Sequence, residues 1–397
     1  MENPKRLVLV MGTRPEAIKL APVVKALRAR PEAFQPLVVA TAQHRRMLDQ
    51  VLGFFRLTPE VDLRLMRPDQ DLAGLTARVL KKMQAALKEL KPHLVLVQGD
   101  TTTAFATALA AFYLKVPVAH VEAGLRSHSR DNPFPEEANR QLTAVLTDLH
   151  LAPTPLARRQ LLREGVPAER IAVTGNTVVD AVHSVLEVPW SPRGTPAARV
   201  PLKGRRLILV TSHRRESWGP ELEEICLALR DLASRFEDLT VVYPVHLNPN
   251  VRRTVYDLLS GVQGVHLLPP LNYLAFINLM RRAYLVLTDS GGVIEEAATL
   301  RKPLLIMRRV TERPEAVAAG VARLVGTSRQ AVAGEATRLL TDARAYQAMT
   351  AGANPFGDGR AAPRIVEALG RWFGHQTPLL PPAQEFRPPR GKPARNL

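Results

Sequence analysis

What most constrains this chain is an alternation. Short β-branched or Leu-rich runs alternate with longer stretches of helical periodicity from one end to the other. That pattern is the signature of parallel sheets whose strands are joined by crossover helices. In the first half it predicts strands near residues 6–11, 36–41, 61–65, 94–98, 117–121, 149–152 and 170–174, with helices filling the gaps. The clearest helix spans 71–90, where Leu72, Leu75, Val79, Met83, Leu87 and Leu90 recur at helical spacing and would face a sheet.

A Pro-rich shift, EVPWSPRGTPAARVPLKG, follows at 187–204 and reads as an interdomain connection. The alternation then restarts, with strands near 206–211, 240–244, 265–268, 284–288, 303–307 and 322–325. The expected architecture is α/β, with two Rossmann-like doubly wound domains and a cleft between them. The first domain would span 1–186, rejoined by a C-terminal helix at 359–373, and the second 205–358. From Thr377 the chain reads TPLLPPAQEFRPPRGKPARNL, and its repeated Pro and basic residues predict a disordered tail over 377–397. A length of 397 residues fits two such domains of roughly 150 to 200 residues each.

Composition narrows the functional classes. Hydrophobic residues make up 46% and charged residues 23%, as in an ordinary globular protein with sizeable cores. No apolar stretch approaches the roughly 18 residues that span a membrane, and the N-terminal apolar run is too short for a signal peptide; a cytoplasmic protein is expected. The lone Cys226 sits in the helical pattern EEICLALRDLA and reads as a core residue. A formal charge of +17 invites a nucleic-acid reading. Against it, the basic residues are scattered among acidic neighbours and are not interleaved with aromatics for base stacking.

In an open α/β sheet, ligands sit beyond the carboxyl ends of the strands. After the first strand comes GTRPEAIKL. Thr13, Pro15 and Glu16 make a helix start with a capping box, but Arg14 and Lys19 add two cations beside a helix N-terminus already suited to an anion. In TDSGGVIEEA, Ser290, Gly291 and Gly292 would let a phosphate approach backbone N–H groups, and Glu296 could accept from ribose hydroxyls. Neither G-x-G-x-x-G nor G-x-x-x-x-G-K-[ST] is present, so a dinucleotide cofactor and an ATP loop lack their fingerprints.

Acids and cations gather at other strand ends. LVLVQGD ends on Asp100, which alone could be a helix cap, whereas Glu122 after PVAHVEAG has no such local role. PFPEEANRQL puts Glu136 and Arg140 one helical turn apart, where a surface ion pair is the plain alternative. His213 with Arg214, Arg215 and Glu216 closes another strand, and His246 a further one. Clustered charges shift one another's pKa and suit acid/base work.

Taken together, GTRPEAIKLAP, TAQHRRMLDQVL, QGDTTT, HVEAGLR, PFPEEANR, TGNTVVDA, HRRES, YPVHLNPNV, LTDSGG, EEA and TERPEAV resemble the bacterial non-hydrolysing UDP-N-acetylglucosamine 2-epimerases, from about residue 5 to about 370. The resemblance implies a fold similar to the B-type glycosyltransferases and interconversion of UDP-N-acetylglucosamine with UDP-N-acetylmannosamine. It implies that UDP is eliminated to 2-acetamidoglucal and re-added, with no NAD, flavin or metal. It implies Asp100, Glu122, Glu136 and His213 as catalytic or substrate-contacting groups with Arg140 beside them. By the same resemblance Arg14, Lys19, Ser290, Gly291, Gly292, Glu296 and Arg313 would hold the UDP, with Phe276 near the uracil.

Two positions depart from the family pattern, Leu271 and Ile294, each standing where Gln is common. Some members bind a second substrate molecule as an activator. Gln43, Arg67 and His246 lie in suitable segments for that, although Arg46 stands where a neutral amide often occurs. A homodimer is the expectation by family analogy. The alternatives are a UDP-sugar glycosyltransferase of the same fold, a hydrolysing epimerase and, more remotely, a nucleic-acid-binding protein.

Overall fold

A computed structural model of the chain describes residues 3–41, 45–65, 71–214 and 217–389. It divides into two compact units, one of Met1–His183 with Gly357–Arg387, the other built on Ser184–Phe356.

The first unit holds β1 (Lys5–Met11), β2 (Phe34–Ala40), β3 (Val61–Asp62), β4 (Leu94–Gln98), β5 (Val118–Val121), β6 (Leu149–Ala152) and β7 (Ile171–Val173). They form one parallel sheet in the order β3-β2-β1-β4-β5-β6-β7. Between them run α1 (Arg14–Arg28), α2 (Arg45–Phe54), α3 (Leu72–Leu90), α4 (Thr102–Tyr113), α5 (Glu136–Val145) and α6 (Pro155–Arg163), with α7 (Thr177–Leu186) after β7. The order reverses between β1 and β4, so the residues that follow those two strands leave the sheet at a topological switch point.

Local sequence accounts for the helix starts. Thr13 is the N-cap of α1, and Glu16 closes back on it. Thr101 caps α4 by accepting the Ala104 N–H at 3.0 Å, which leaves Asp100 out of the cap. Helix α3 buries Leu75, Val79, Met83 and Leu87 against strand residues such as Val8, Val10 and Val95. Leu72, placed on the same face by its spacing, is exposed at the first turn.

The second unit repeats the architecture with β8 (Arg206–Thr211), β9 (Leu239–Pro244), β10 (Val265–Leu268), β11 (Leu285–Thr288), β12 (Leu304–Ile306) and β13 (Ala322–Leu324), parallel in the order β10-β9-β8-β11-β12-β13. Its helices are α8 (Pro220–Arg235), α9 (Pro249–Leu259), α10 (Tyr273–Arg282), α11 (Gly291–Thr299), α12 (Pro314–Ala318), α13 (Arg329–Thr341) and α14 (Ala343–Thr350). Cys226 lies fully buried in this core, where desolvation pushes its thiol up to about 12.

Two segments differ from expectation. The Pro-rich 187–204 stretch is docked on the second unit: Ala197 and Val200 are buried, Thr240 Oγ1 donates to the Pro201 carbonyl at 3.1 Å, and Arg282 covers the Trp190 ring. Its apolar residues find a surface to bury, which Pro and Gly content does not reveal. The expected disorder of the tail also fails for 377–389, because Leu379, Leu380 and Phe386 are buried and anchor the segment to the first unit. Before it, α15 (Ala361–Phe373) packs on α1 of the first unit. Among the described residues, no helix is long and apolar enough to cross a membrane.

Candidate active site

The first unit gathers acids where β4 and β5 end. Glu122 directly follows β5 and takes a left-handed backbone, φ 69°, a conformation uncommon for a non-glycine residue and one that persists where the surroundings over-determine it. Its backbone N–H is held by the Leu151 carbonyl at 3.1 Å. The carboxylate is buried, and its Oε2 accepts from Lys19 Nζ, from Gln98 Nε2 at 3.0 Å and from Asn176 Nδ2 at 3.4 Å. Lys19, expected among the diphosphate contacts, is therefore ion-paired within the acid cluster. Gln98 and Asn176 were not singled out from sequence. Their place at the ends of β4 and β7 is the signal that could have found them.

Asp100 stands two residues past β4, where its carboxylate pairs with the Arg140 guanidinium and its backbone carbonyl accepts from Asn139 Nδ2 at 3.1 Å. Arg140 also donates to Glu137 Oε2 at 2.8 Å. Arg140 is buried, so the surface-pair alternative does not hold, and it bridges the fully buried Glu137 to Asp100. Glu137, one residue on from the expected Glu136, is thus part of the site's framework. Glu136 itself opens α5 and is half-buried.

Glu16 joins the α1 and α4 starts. Its Oε2 accepts the Gly12 and Thr13 N–H groups at 3.0 and 2.6 Å and the Thr13 hydroxyl at 2.7 Å, while Oε1 accepts the Thr101 hydroxyl at 2.7 Å. Burial raises its pKa to about 7 against those hydrogen bonds. Arg14 occupies the first position of α1 beside this turn. Behind the cluster, desolvation pushes His120 down to about 4 and His150 to about 3, which keeps both imidazoles neutral.

The second unit builds a different site around the start of α11. Ser290 is the N-cap residue but makes no side-chain cap bond. A Cβ at Gly292 would meet nothing within 4 Å, whereas one at Gly291 would meet Glu312 Oε1 at 2.9 Å, so the first turn of α11 has open space at Gly292 and the Glu312 carboxylate beside Gly291. Asp289, buried and not singled out from sequence, organises the neighbouring turn. Its Oδ2 accepts from Ser212 Oγ and from the His213 and Arg214 N–H groups, each at 2.9 Å. The His213 ring lies with Nδ1 3.5 Å from Asp289 Oδ1 and stacks on His246 at 5.4 Å. Burial pushes the His213 imidazole down, opposed by Asp289 and aided by Arg214.

Cations surround this turn. Glu312 pairs with Arg214 at 3.2 Å and Arg308 at 2.7 Å. Burial opposes its ionisation, yet the Arg313, Arg214 and Arg308 guanidiniums outweigh that and hold its carboxyl at about 2. Arg313, expected to hold UDP, is buried and donates to Glu295 Oε1 at 2.5 Å. Glu296 and Phe276 are buried, as are Leu271 and Ile294 at the two departing positions. His246 is exposed, whereas Gln43 and Arg67 lie outside the described residues. Among the described residues, no group of three or more His, Cys, Asp and Glu side chains has the arrangement of a metal site.

A family model described as UDP-N-acetylglucosamine 2-epimerase matches residues 25–370 and stops short of the 377–389 segment. The chain is 53% identical over 369 residues to the UDP-N-acetylglucosamine 2-epimerase of Escherichia coli, covering 92% of this chain and 98% of that one. The Neisseria meningitidis UDP-GlcNAc 2-epimerase, solved bound to UDP-GlcNAc, superposes with a TM-score of 0.87 at 45% identity, covering 92% of this chain and 99% of that chain. A Rickettsia africae glycosyltransferase, 14% identical with a TM-score of 0.56 over 94% of this chain and 99% of its own, shares the fold alone.

Proposed function

The chain belongs to the UDP-N-acetylglucosamine 2-epimerase family, and on that premise we propose that it inverts carbon 2 of UDP-N-acetylglucosamine reversibly, by eliminating and re-adding UDP. The observation that carries this reading is the buried, left-handed Glu122 with Lys19, Gln98 and Asn176 on one of its oxygens, next to the Asp100–Arg140 pair.

The C2 hydrogen is weakly acidic, so its removal needs an activating step. In the proposed reaction a carboxylate takes the C2 proton as the bond from C1 to the diphosphate oxygen breaks. A C1–C2 double bond forms, giving 2-acetamidoglucal and UDP. UDP oxygen then bonds to C1 while a proton reaches C2 from the other face. Asp100, Glu122 and Glu136 share the work of exchanging protons at C2 and stabilising positive charge at C1. Glu122, charge-compensated by Lys19, suits the holding of charge. Asp100, with 31% of its side chain exposed, is more open to proton exchange.

In the second unit, the α11 N-terminus at Ser290, Gly291 and Gly292, with His213 and Arg214, would stabilise the departing diphosphate. Glu296 and Phe276 would serve the ribose and uracil. By family likeness Arg14 would also contact UDP. Arg313 would act by holding Glu295 and the α11–α12 framework. Homodimeric assembly and cytoplasmic residence belong to the same reading by family likeness, and light scattering checks the first.

One NMR time course on UDP-N-acetylglucosamine in D₂O tests the chemistry. The expected product is UDP-N-acetylmannosamine carrying deuterium at C2. Release of free N-acetylmannosamine would instead assign a hydrolysing enzyme, and no change without an added acceptor would favour the transferase reading that the shared fold allows. Product without deuterium would exclude proton exchange with solvent.

A further inference from the structure

The segment after α15 lies beyond residue 370, where the family match ends, yet it is built into the first unit. Leu379, Leu380 and Phe386 are each no more than 3% exposed. The Phe386 N–H donates to the Val173 carbonyl at 2.8 Å, and Glu385 Oε1 accepts the Val173 N–H at 3.4 Å. The segment thereby covers the free edge of β7, the last strand of its sheet. Arg158 on α6 holds Glu385 at 3.1 Å. Arg364 on α15 donates to the Gln384 carbonyl at 2.7 Å and to the Thr174 carbonyl at 3.3 Å, with its guanidinium 5.9 Å from the Phe386 ring.

These contacts converge on the turn 174–176. Gly175 has φ 88°, and a Cβ there would sit 3.5 Å from the Phe386 ring, so that ring covers the turn directly. The next residue is Asn176, 2% exposed, whose Oδ1 accepts the Val178 N–H at 3.1 Å and whose Nδ2 reaches Glu122 Oε2. A chain of contacts therefore runs from Phe386 through Gly175 to Asn176 and Glu122.

We infer that residues 378–387 are a strap that positions Asn176 against Glu122, so that the C-terminal segment tunes the acid cluster and does more than cover a sheet edge. The inference rests on the reading of Glu122 as one of the carboxylates that serve the reaction. Asn176 is a positioning residue in this scheme: it fixes the Glu122 carboxylate, and the strap fixes the turn that carries Asn176. A displacement of about 1 Å in such a group is enough to cost roughly 10²-fold in rate.

The test compares the full chain, a chain ending at Gln376 and Phe386→Ala, each with and without Asn176→Ala. Melting temperature, kcat and KM are measured with UDP-N-acetylglucosamine well below the melting point, and amide hydrogen exchange is followed at 174–177. Removing the strap is expected to lower kcat roughly 10- to 100-fold with KM changed less than about threefold. Exchange at 174–177 should rise. In the Asn176→Ala background strap removal should cost little further, because both changes break one contact chain. A strap variant with lowered melting temperature but full kcat and unchanged exchange at 174–177 would reduce the segment to an edge cover and overturn the inference. Equal losses of kcat in both backgrounds would overturn it as well. Should the shorter chain fail to fold, Phe386→Ala carries the comparison. Absence of epimerisation by the full chain would sink the parent reading instead, and the exchange data would still report on the strap.

Discussion

Lys19 on α1 and Glu122 at the end of β5 form a buried ion pair across 103 residues of sequence. The side chains are 7% and 6% exposed, so neither charge has water to replace its partner. Lys19→Met should destabilise the first unit by about 3 to 5 kcal/mol, the usual cost of leaving one buried charge uncompensated. Glu122→Gln should lower turnover by roughly 10² to 10⁴ while UDP still binds. The double variant Lys19→Met/Glu122→Gln should recover stability but not turnover. Urea unfolding and steady-state rates decide it, and a double variant as unstable as Lys19→Met would show that the pair does not act as a unit.

Arg140 joins Asp100 to Glu137, and the two acids have different surroundings. Asp100→Asn should keep the fold and reduce turnover by roughly 10² to 10⁴. Arg140→Met should reduce both turnover and stability, the latter by about 3 to 5 kcal/mol, because Glu137 is fully buried. Near-normal turnover in Asp100→Asn would remove that residue from the chemistry.

Glu16 gives the protein a pH signature. Its folded pKa of about 7 lies above the ordinary 4.5. The folded state therefore binds the proton more tightly, and this contribution is fully present below pH 4.5 and lost as pH rises through 7. Its size is at most about 3 kcal/mol. In Glu16→Gln the fall in stability between pH 4.5 and 7 should flatten, as seen by denaturant unfolding across that range. A profile that parallels the parent protein's would assign the titration to other groups.

Asp289 holds three donors of the Ser212–Arg214 turn on one carboxylate oxygen. Asp289→Ala should release that turn and weaken UDP binding on the order of tenfold, about 1.4 kcal/mol. Calorimetric titration with UDP measures this directly. Unchanged affinity would mean that the His213–Arg214 turn does not contact the diphosphate.

Much of this protein could be read without coordinates. The strands of the described residues lie close to where apolar runs placed them, because a strand's burial pattern is written in consecutive residues. The acids that close β4 and β5, and the small residues that open α11, were visible as polar groups at strand ends. Family membership was visible as well, in motifs spread along the chain.

Partner choice was a different matter. Spacing offered Arg140 a neighbour at Glu136, whereas the fold brings Glu137 and Asp100 to its guanidinium. Lys19 read as a phosphate ligand because it follows Arg14 on a helix start. The strand order β1-β4-β5 also brings the helix after β1 to the end of β5, where Lys19 pairs with Glu122 beside Gln98 of β4. Pro-rich composition marked 377–389 as disordered, since it forbids regular structure, yet irregular chain still packs where apolar side chains meet an uncovered strand edge. Periodicity and capping act within a few residues, so the sequence determined the elements and the edges where chemistry could sit. Ion pairs, buried carboxylates and the packing of 377–389 depend on which distant elements become neighbours, and that follows from the assembled fold.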